Sequence, residues 1–209
     1  MSTRKQVVAI AWCAITTLTG CQKQVETQQP AVPAAAASAA PEELKPIAGI
    51  QDVMAHMIDP AADFLWESVS TTVTKGRVDE KRPLTDEQWS AVRGQAIILT
   101  EGANLILMTG RHVVKEGGKL EDHGTPGNLS AEESEAAIKT DRATFVAFAE
   151  ALRDVGVSML AAADSHNPQA MLDAGDDMDR VCEGCHLKFW YPGQKIPPFP
   201  DEAPEVDVQ

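Results

Sequence analysis

The sequence predicts an all-α domain over residues 44–195, a bundle of four helices in up-down-up-down order. Apolar side chains recur every three or four residues in four segments, which is the spacing of one helix face. Two segments begin with capping boxes and a third with Asn-Pro, and both are helix-start signals. Aromatic content of 5% is low for a β-sandwich or barrel, and no stretch carries a strand signal. Four consecutive amphipathic helices favour an antiparallel bundle.

The first helix is predicted from Leu44 to Thr74, and Lys75-Gly76 ends it. Asp59-Pro60 interrupts the pattern, because proline lacks the amide donor and crowds the carbonyl four residues back. Either the helix kinks there, or Asp59 caps a second helix with Pro60 at its first position. The apolar face before the interruption consists of Ile47, Ile50, Val53, Met54 and Met57.

The second and third helices are predicted from their starts. Thr85 with Gln88, and Ser130 with Glu133, form capping boxes, and the glycine-rich stretch 116–129 between the two helices is predicted as a loop. The second helix carries an apolar face from Trp89 to about Met108. Behind the second capping box, apolar residues step by three and four, the seam spacing of antiparallel helices. These residues are Phe145, Phe148, Leu152, Val155 and Met159.

The last helix, from Asn167-Pro168 to Pro192-Gly193, contains the motif Cys-x-x-Cys-His. This is the attachment signature of a c-type haem. Each thiol can add to one haem vinyl group, and the adjoining imidazole can ligate the iron. On a helix, Cys182, Cys185 and His186 stand at i, i+3 and i+4, on one face. We therefore expect one covalent haem c with His186 as the proximal iron ligand.

Two other interpretations of the motif are a zinc half-site and a thiol–disulfide motif. A zinc site would need about two further Cys or His ligands at similar spacing, and no second cluster accompanies this one. A redox Cys-x-x-Cys is expected near a strand–helix pattern, whereas the surroundings here are helical. The sequence favours haem, provided that the protein is exported.

The N-terminal residues indicate export. Residues 1–20 have a basic start and a short apolar run, which is typical of a cleaved signal peptide. The run ends in Leu18-Thr19-Gly20-Cys21, which resembles the lipobox of bacterial lipoproteins; an ordinary signal peptide is the alternative. The resemblance implies a lipid-bearing Cys21 and an anchor in a bacterial membrane, with the protein facing the periplasm. Gln22 after the cysteine slightly favours the outer membrane.

Low-complexity segments flank the helical domain. Residues 21–43 are rich in Ala, Pro and Gln and are predicted to form a disordered tether. Residues 196–209 form an acidic, proline-rich tail. The formal net charge of −13 makes a nucleic-acid role unlikely, because phosphates would be repelled. The same charge would steer a basic protein partner.

Four predicted helices with Cys-x-x-Cys-His in the last resemble the cytochrome c-prime family and its low-spin, Met-ligated relatives, over roughly residues 44–192. The resemblance implies that the distal iron position faces the first helix. A Met there gives an electron carrier, whereas Leu or Phe leaves the iron open to NO or CO. Met54 matches that position best, and Met57 is the alternative; core packing is the other interpretation of both methionines.

The resemblance also bears on the haem pocket. Phe189 matches the aromatic residue of the family, but Trp190 stands where the family usually has Arg. Arg111 could contact a haem propionate or serve as a helix-end charge. We expect a lipid-anchored monohaem c-type cytochrome that carries single electrons to other periplasmic or membrane redox proteins. A five-coordinate gas-binding protein is the alternative, a homodimer stays open, and no residue pattern indicates an enzyme.

Overall fold

Helices dominate residues 44–194, which are the residues that this computed structural model describes. The mostly helical prediction is confirmed, and one two-stranded sheet accompanies the helices. The signal peptide at 1–20, Cys21, the rest of the tether to 43 and the tail at 196–209 lie outside the described residues. In chain order the elements are α1 (Ile50–Val53), a π-helical segment (Met54–Ile58), α2 (Asp59–Ser68), β1 (Ser70–Thr74), β2 (Arg77–Lys81), α3 (Asp86–Ile106), α4 (Ala131–Thr140), α5 (Arg142–Asp164) and α6 (Pro168–Phe189).

The first helical segment begins at Ile50, six residues after the predicted start at Leu44. The amides of Ile50 and Gln51 donate to the backbone carbonyls of His112 and Val113, at 2.8 and 3.0 Å. Helix starts leave their first amides without intrahelical partners, so these two bonds fix where the helix begins.

A π-helical turn lies just before the predicted interruption at Asp59-Pro60, and the helix continues beyond it. The amide of Asp59 donates to the carbonyl of Met54, five residues back, which accommodates one extra residue in the turn. Pro60 follows directly and has no amide to continue an α-helical bond. Ile58, which precedes α2, is itself in a helical conformation, and α2 has no side-chain cap. The chain therefore continues from α1 to α2 without a separate capped start.

A β-hairpin of β1 and β2 stands where the sequence predicted helix as far as Thr74, so that part of the prediction is wrong. Its strands are antiparallel, with Val73 opposite Val78. Lys75 and Gly76 both have positive φ, 48° and 78°, as a tight two-residue hairpin turn requires. The β-branched Thr and Val residues of β1 favour an extended chain.

The predicted starts at Thr85, Ser130 and Asn167 are confirmed, since each side chain accepts a hydrogen bond from the amide three residues later. The helix that follows Ser130 is divided at Asp141. The side chain of Asp141 accepts from the amide of Thr144 at 3.3 Å and so caps α5.

The core lies between α3, α5 and α6, with α2 packed mainly on α3. The predicted seam is confirmed, since four of its residues are buried and Phe148 is half-buried. Each such aliphatic or aromatic side chain contributes about 1.5–3 kcal/mol when fully buried. The largest side chains that are almost fully buried are Leu65, Val92, Leu99, Met159, Met171 and Met178.

A second, smaller apolar cluster joins the loop between α3 and α4 to the start of α4. Its buried members are Val113, Leu120 and Ala131, and Ile138 and Trp190 pack against them. The cluster therefore brings the end of α6 to this loop and to one face of α4. Separately, none of the helices within residues 44–194 is long and apolar enough to cross a bilayer.

Candidate cofactor site

Three side chains of the motif line one cavity. Cys182, Cys185 and His186 occupy successive positions on one face of α6, are half-buried, and all border the same space of about 250 Å³. Both cysteines are free thiols. The structure thus places the three side chains on one side of α6, as their spacing predicts.

The cavity wall is mainly apolar and comes from several helices. Ile58 of the π-helical segment, Ile106 of α3 and Leu152 of α5 face it together with Phe189 of α6. Asp59 and Glu121 are the acidic residues on its border. Such a wall suits a large, flat and mostly apolar ligand.

Burial controls the protonation of the motif. It raises the pKa of Cys182 to about 11, with a further contribution from the negative charge of Asp179, and it raises the pKa of Cys185 to about 12. Burial also lowers the pKa of His186, against the opposing effect of the Glu183 carboxylate. The imidazole is therefore neutral at neutral pH, which is the form that can ligate a metal.

The structure separates the two methionines that were considered for the distal position. Met54 is the first residue of the π-helical segment and lines the cavity. Both methionines pack against the main core, but Met57 is not among the residues of the cavity wall. His56, between them, is exposed. Of the two, Met54 is thus the thioether placed on the same cavity as His186.

Arg111 lies away from the cavity wall. Its Nε donates to the carbonyl of Leu105 at 2.7 Å and its Nη1 to the carbonyl of Ala48 at 2.6 Å. The guanidinium thus pairs with one carbonyl in the last turn of α3, where a cation is favoured by the helix dipole, and with one carbonyl that precedes α1. This placement agrees with the helix-end interpretation of Arg111.

Aromatic side chains surround His186. The Trp190 ring meets the imidazole edge to face with centroids 5.0 Å apart, and the Tyr191 ring lies 5.7 Å away. The Tyr191 hydroxyl donates to Glu183 at 2.7 Å. Burial and this carboxylate raise the pKa of Tyr191. The cluster fixes the end of α6 beside the proposed ligand.

Phe189 belongs to the cavity wall and to the core. It is 5% exposed and meets Phe145 and Phe148 edge to face, with centroids 5.6 and 6.5 Å apart. Gly184, inside the motif, lets α6 approach α5, because a Cβ there would lie 2.9 Å from Phe148 Cε1. The motif thus has a packing requirement in addition to its ligating residues.

Ser134 is a cavity residue that sequence reasoning missed. Its Oγ is buried and, like Nε1 of Trp190, has no hydrogen-bond partner among residues 44–194. Both residues line the cavity. A signal was present, since Ser134 stands three residues after Ala131 and four before Ile138, on the apolar face of α4.

The residues present fit a covalently attached haem. Two thiols and a neutral imidazole share one helix face, and a thioether lies on the same cavity. Two buried polar atoms of cavity residues have no hydrogen-bond partner within the described part of the chain. Residues 44–194 contain no group of three or more His, Cys, Asp or Glu side chains suited to a free metal ion. Comparison of the chain with family models, curated proteins and solved structures gives no match.

Proposed function

We propose that this protein is a lipid-anchored monohaem c-type cytochrome that carries single electrons on the periplasmic side of a bacterial membrane. In this proposal the helical segment 50–68 and helices α3, α5 and α6 form a four-helix up-down-up-down bundle, with haem c on α6. One observation carries the proposal: Cys182, Cys185, His186 and Met54 line the same apolar cavity.

The motif residues hold the cofactor. Cys182 and Cys185 each supply one sulfur for a thioether bond, so that retention does not depend on affinity alone. His186 supplies its neutral imidazole to the iron, and the packing of Trp190 and Tyr191 restricts its orientation. A haem bound in this way supplies reversible one-electron chemistry at its iron.

The other walls tune the site. Met54 presents a thioether, a ligand that favours ferrous iron and raises the reduction potential. Apolar side chains such as Ile58 and Phe189 exclude water. Exclusion of water also favours ferrous iron, because the ferrous haem carries less charge than the ferric haem. Asp59 acts in the opposite direction, since its negative charge favours ferric iron.

The proposed partners follow from charge and anchorage. The chain carries a formal charge of −13, so a periplasmic or membrane redox protein with a basic surface would be attracted to it. The anchor would be the lipid on Cys21, which lies outside the described residues. We include no catalytic residue in the proposal.

Optical spectra of the full chain, produced in a host that matures c-type cytochromes, test the proposal. We expect covalent haem, a low-spin ferrous spectrum and a weak far-red band in the ferric state from Met ligation. The band should vanish in Met54→Ala and survive in Met57→Ala, the matched control from the same π-helical segment.

Three outcomes would contradict parts of the proposal. Loss of the band in Met57→Ala but not in Met54→Ala would transfer the ligand role to Met57. A high-spin ferrous spectrum with a large shift under carbon monoxide would favour the five-coordinate gas-binding protein. Free thiols and no haem after maturation would overturn the cytochrome assignment itself.

A further inference from the structure

Two residues of the cavity wall each carry a buried polar atom. Ser134 Oγ and Trp190 Nε1 are both buried and have no hydrogen-bond partner among residues 44–194. Ser134 is 3% exposed. A buried polar group without a partner destabilises the fold, so two of them on one cavity point to a group that binds there.

The fold brings these atoms to the same cavity from distant parts of the chain. Ser134 lies on the face of α4 between Ala131 and Ile138, and Trp190 packs against the small cluster that includes both. The carbonyl of Trp190 accepts from the amide of Leu129 at 2.8 Å, which ties the end of α6 to the residues before α4. The positions of the two side chains are therefore fixed by packing and not by each other.

The chemistry of the two atoms selects an acceptor. An indole N–H only donates, and a serine hydroxyl can donate as well. The cavity wall within the described residues contains no Lys or Arg, and Arg111 already donates to the carbonyls of Leu105 and Ala48. Two donors on one cavity suit a group with acceptor oxygens, although the carboxylates of Asp59 and Glu121 also border the cavity.

We propose that Ser134 and Trp190 bind a carboxylate of the cavity ligand, which for a haem is a propionate. This inference rests on the proposed function. Each donor would stabilise the carboxylate through one hydrogen bond. A buried water that satisfies both donors is the competing explanation.

Resonance Raman spectra of the holoprotein test the inference through the propionate bending band. We expect the band to shift in Ser134→Ala and in Trp190→Phe, because each substitution removes one donor. Ser158→Ala is the control for the hydroxyl, since Ser158 is exposed on α5. Trp66→Phe is the control for the indole, because Trp66 lines the cavity but donates to the carbonyl of Gly175.

Chemical unfolding of the holoprotein gives a second measurement. We expect a lower unfolding midpoint in Ser134→Ala than in the wild type, whereas removal of an unpaired hydroxyl would leave the midpoint unchanged or raise it. A propionate band that shifts in neither Ser134→Ala nor Trp190→Phe, with haem covalently attached, overturns this inference alone. Protein without covalent haem overturns the proposed function and, with it, the source of the carboxylate.

Discussion

Helix α6 and the helical segment 50–68 contribute to the same cavity in different ways. Helix α6 is regular, so Cys182, Cys185 and His186 share a face because of their spacing alone. The segment 50–68 contains a π turn that begins at Met54 and adds a residue to the helix before Pro60. Spacing therefore assigns residues to a face in α6, but across the π turn only the folded structure does so.

The positions of the motif residues and of the two methionines therefore depend on the structure to different degrees. The three residues of α6 face the cavity wherever that helix begins or ends. The choice between Met54 and Met57 depends on a single turn, because one extra residue rotates everything beyond it by about 100°.

The largest effect is expected for the thiols of α6. The double variant Cys182→Ser/Cys185→Ser should lose all covalently attached haem, because no sulfur remains to form a thioether. Haem-dependent staining after denaturing electrophoresis, together with the intact mass, measures this. The two single variants are the matched controls, and each should retain haem through one bond. Covalent haem in the double variant would contradict the assignment.

The second effect concerns the same thiols before attachment. Burial raises the pKa of Cys182 from 9.0 to about 11, so the reactive thiolate is about 100-fold rarer at pH 8 than in a free cysteine. In protein made without haem, Cys182 should therefore react with iodoacetamide about 100-fold more slowly than in the denatured chain. Mass spectrometry against time gives the rates.

The raised pKa values of the two thiols also make the folding stability depend on pH. Since the thiols ionise near pH 9 in the unfolded chain and only near 11 and 12 in the folded one, folding stability falls as the pH rises through that window. Alkylation of the folded protein at the rate of the denatured chain would contradict the buried position of the motif.

The smallest effect tests the packing of the π turn. A Cβ at Gly102 would lie 2.6 Å from Ile58 Cγ1, so Gly102→Ala should destabilise the holoprotein by about 1–3 kcal/mol through overpacking. Gly94→Ala, on the same helix with no atom within 4 Å of the new Cβ, should instead stabilise it by about 0.5–1 kcal/mol through helix propensity. Urea unfolding measures both, and equal effects would show that Ile58 is not held against α3.

Local signals predicted the parts of the fold that depend on neighbours in sequence. The caps at Thr85, Ser130 and Asn167 need only residues three positions on, and each was found as predicted. The same holds for the seam of α5, where a regular helix turns a repeat of three and four into one buried face.

The parts that were not predicted depend on competing signals or on distant contacts. As a local signal, Lys75-Gly76 predicts a helix end. The same pair forms a hairpin turn in the structure, because the β-branched residues before it are extended. The π turn is not encoded by any periodicity. The spacing of Ser134 places it on the apolar face of α4, but its position on the cavity depends on the contact between α4 and the end of α6.

The hairpin of β1 and β2 has a practical consequence for work with this protein. Its strands pair mainly with each other, Val73 and Val78 are 69% and 58% exposed, and no residue of either strand borders the cavity. Insertions are tolerated best at exposed turns whose backbone supports little else. An epitope or an immobilisation tag placed between Lys75 and Gly76 would hold the protein on a surface or an electrode while leaving the cavity walls in place.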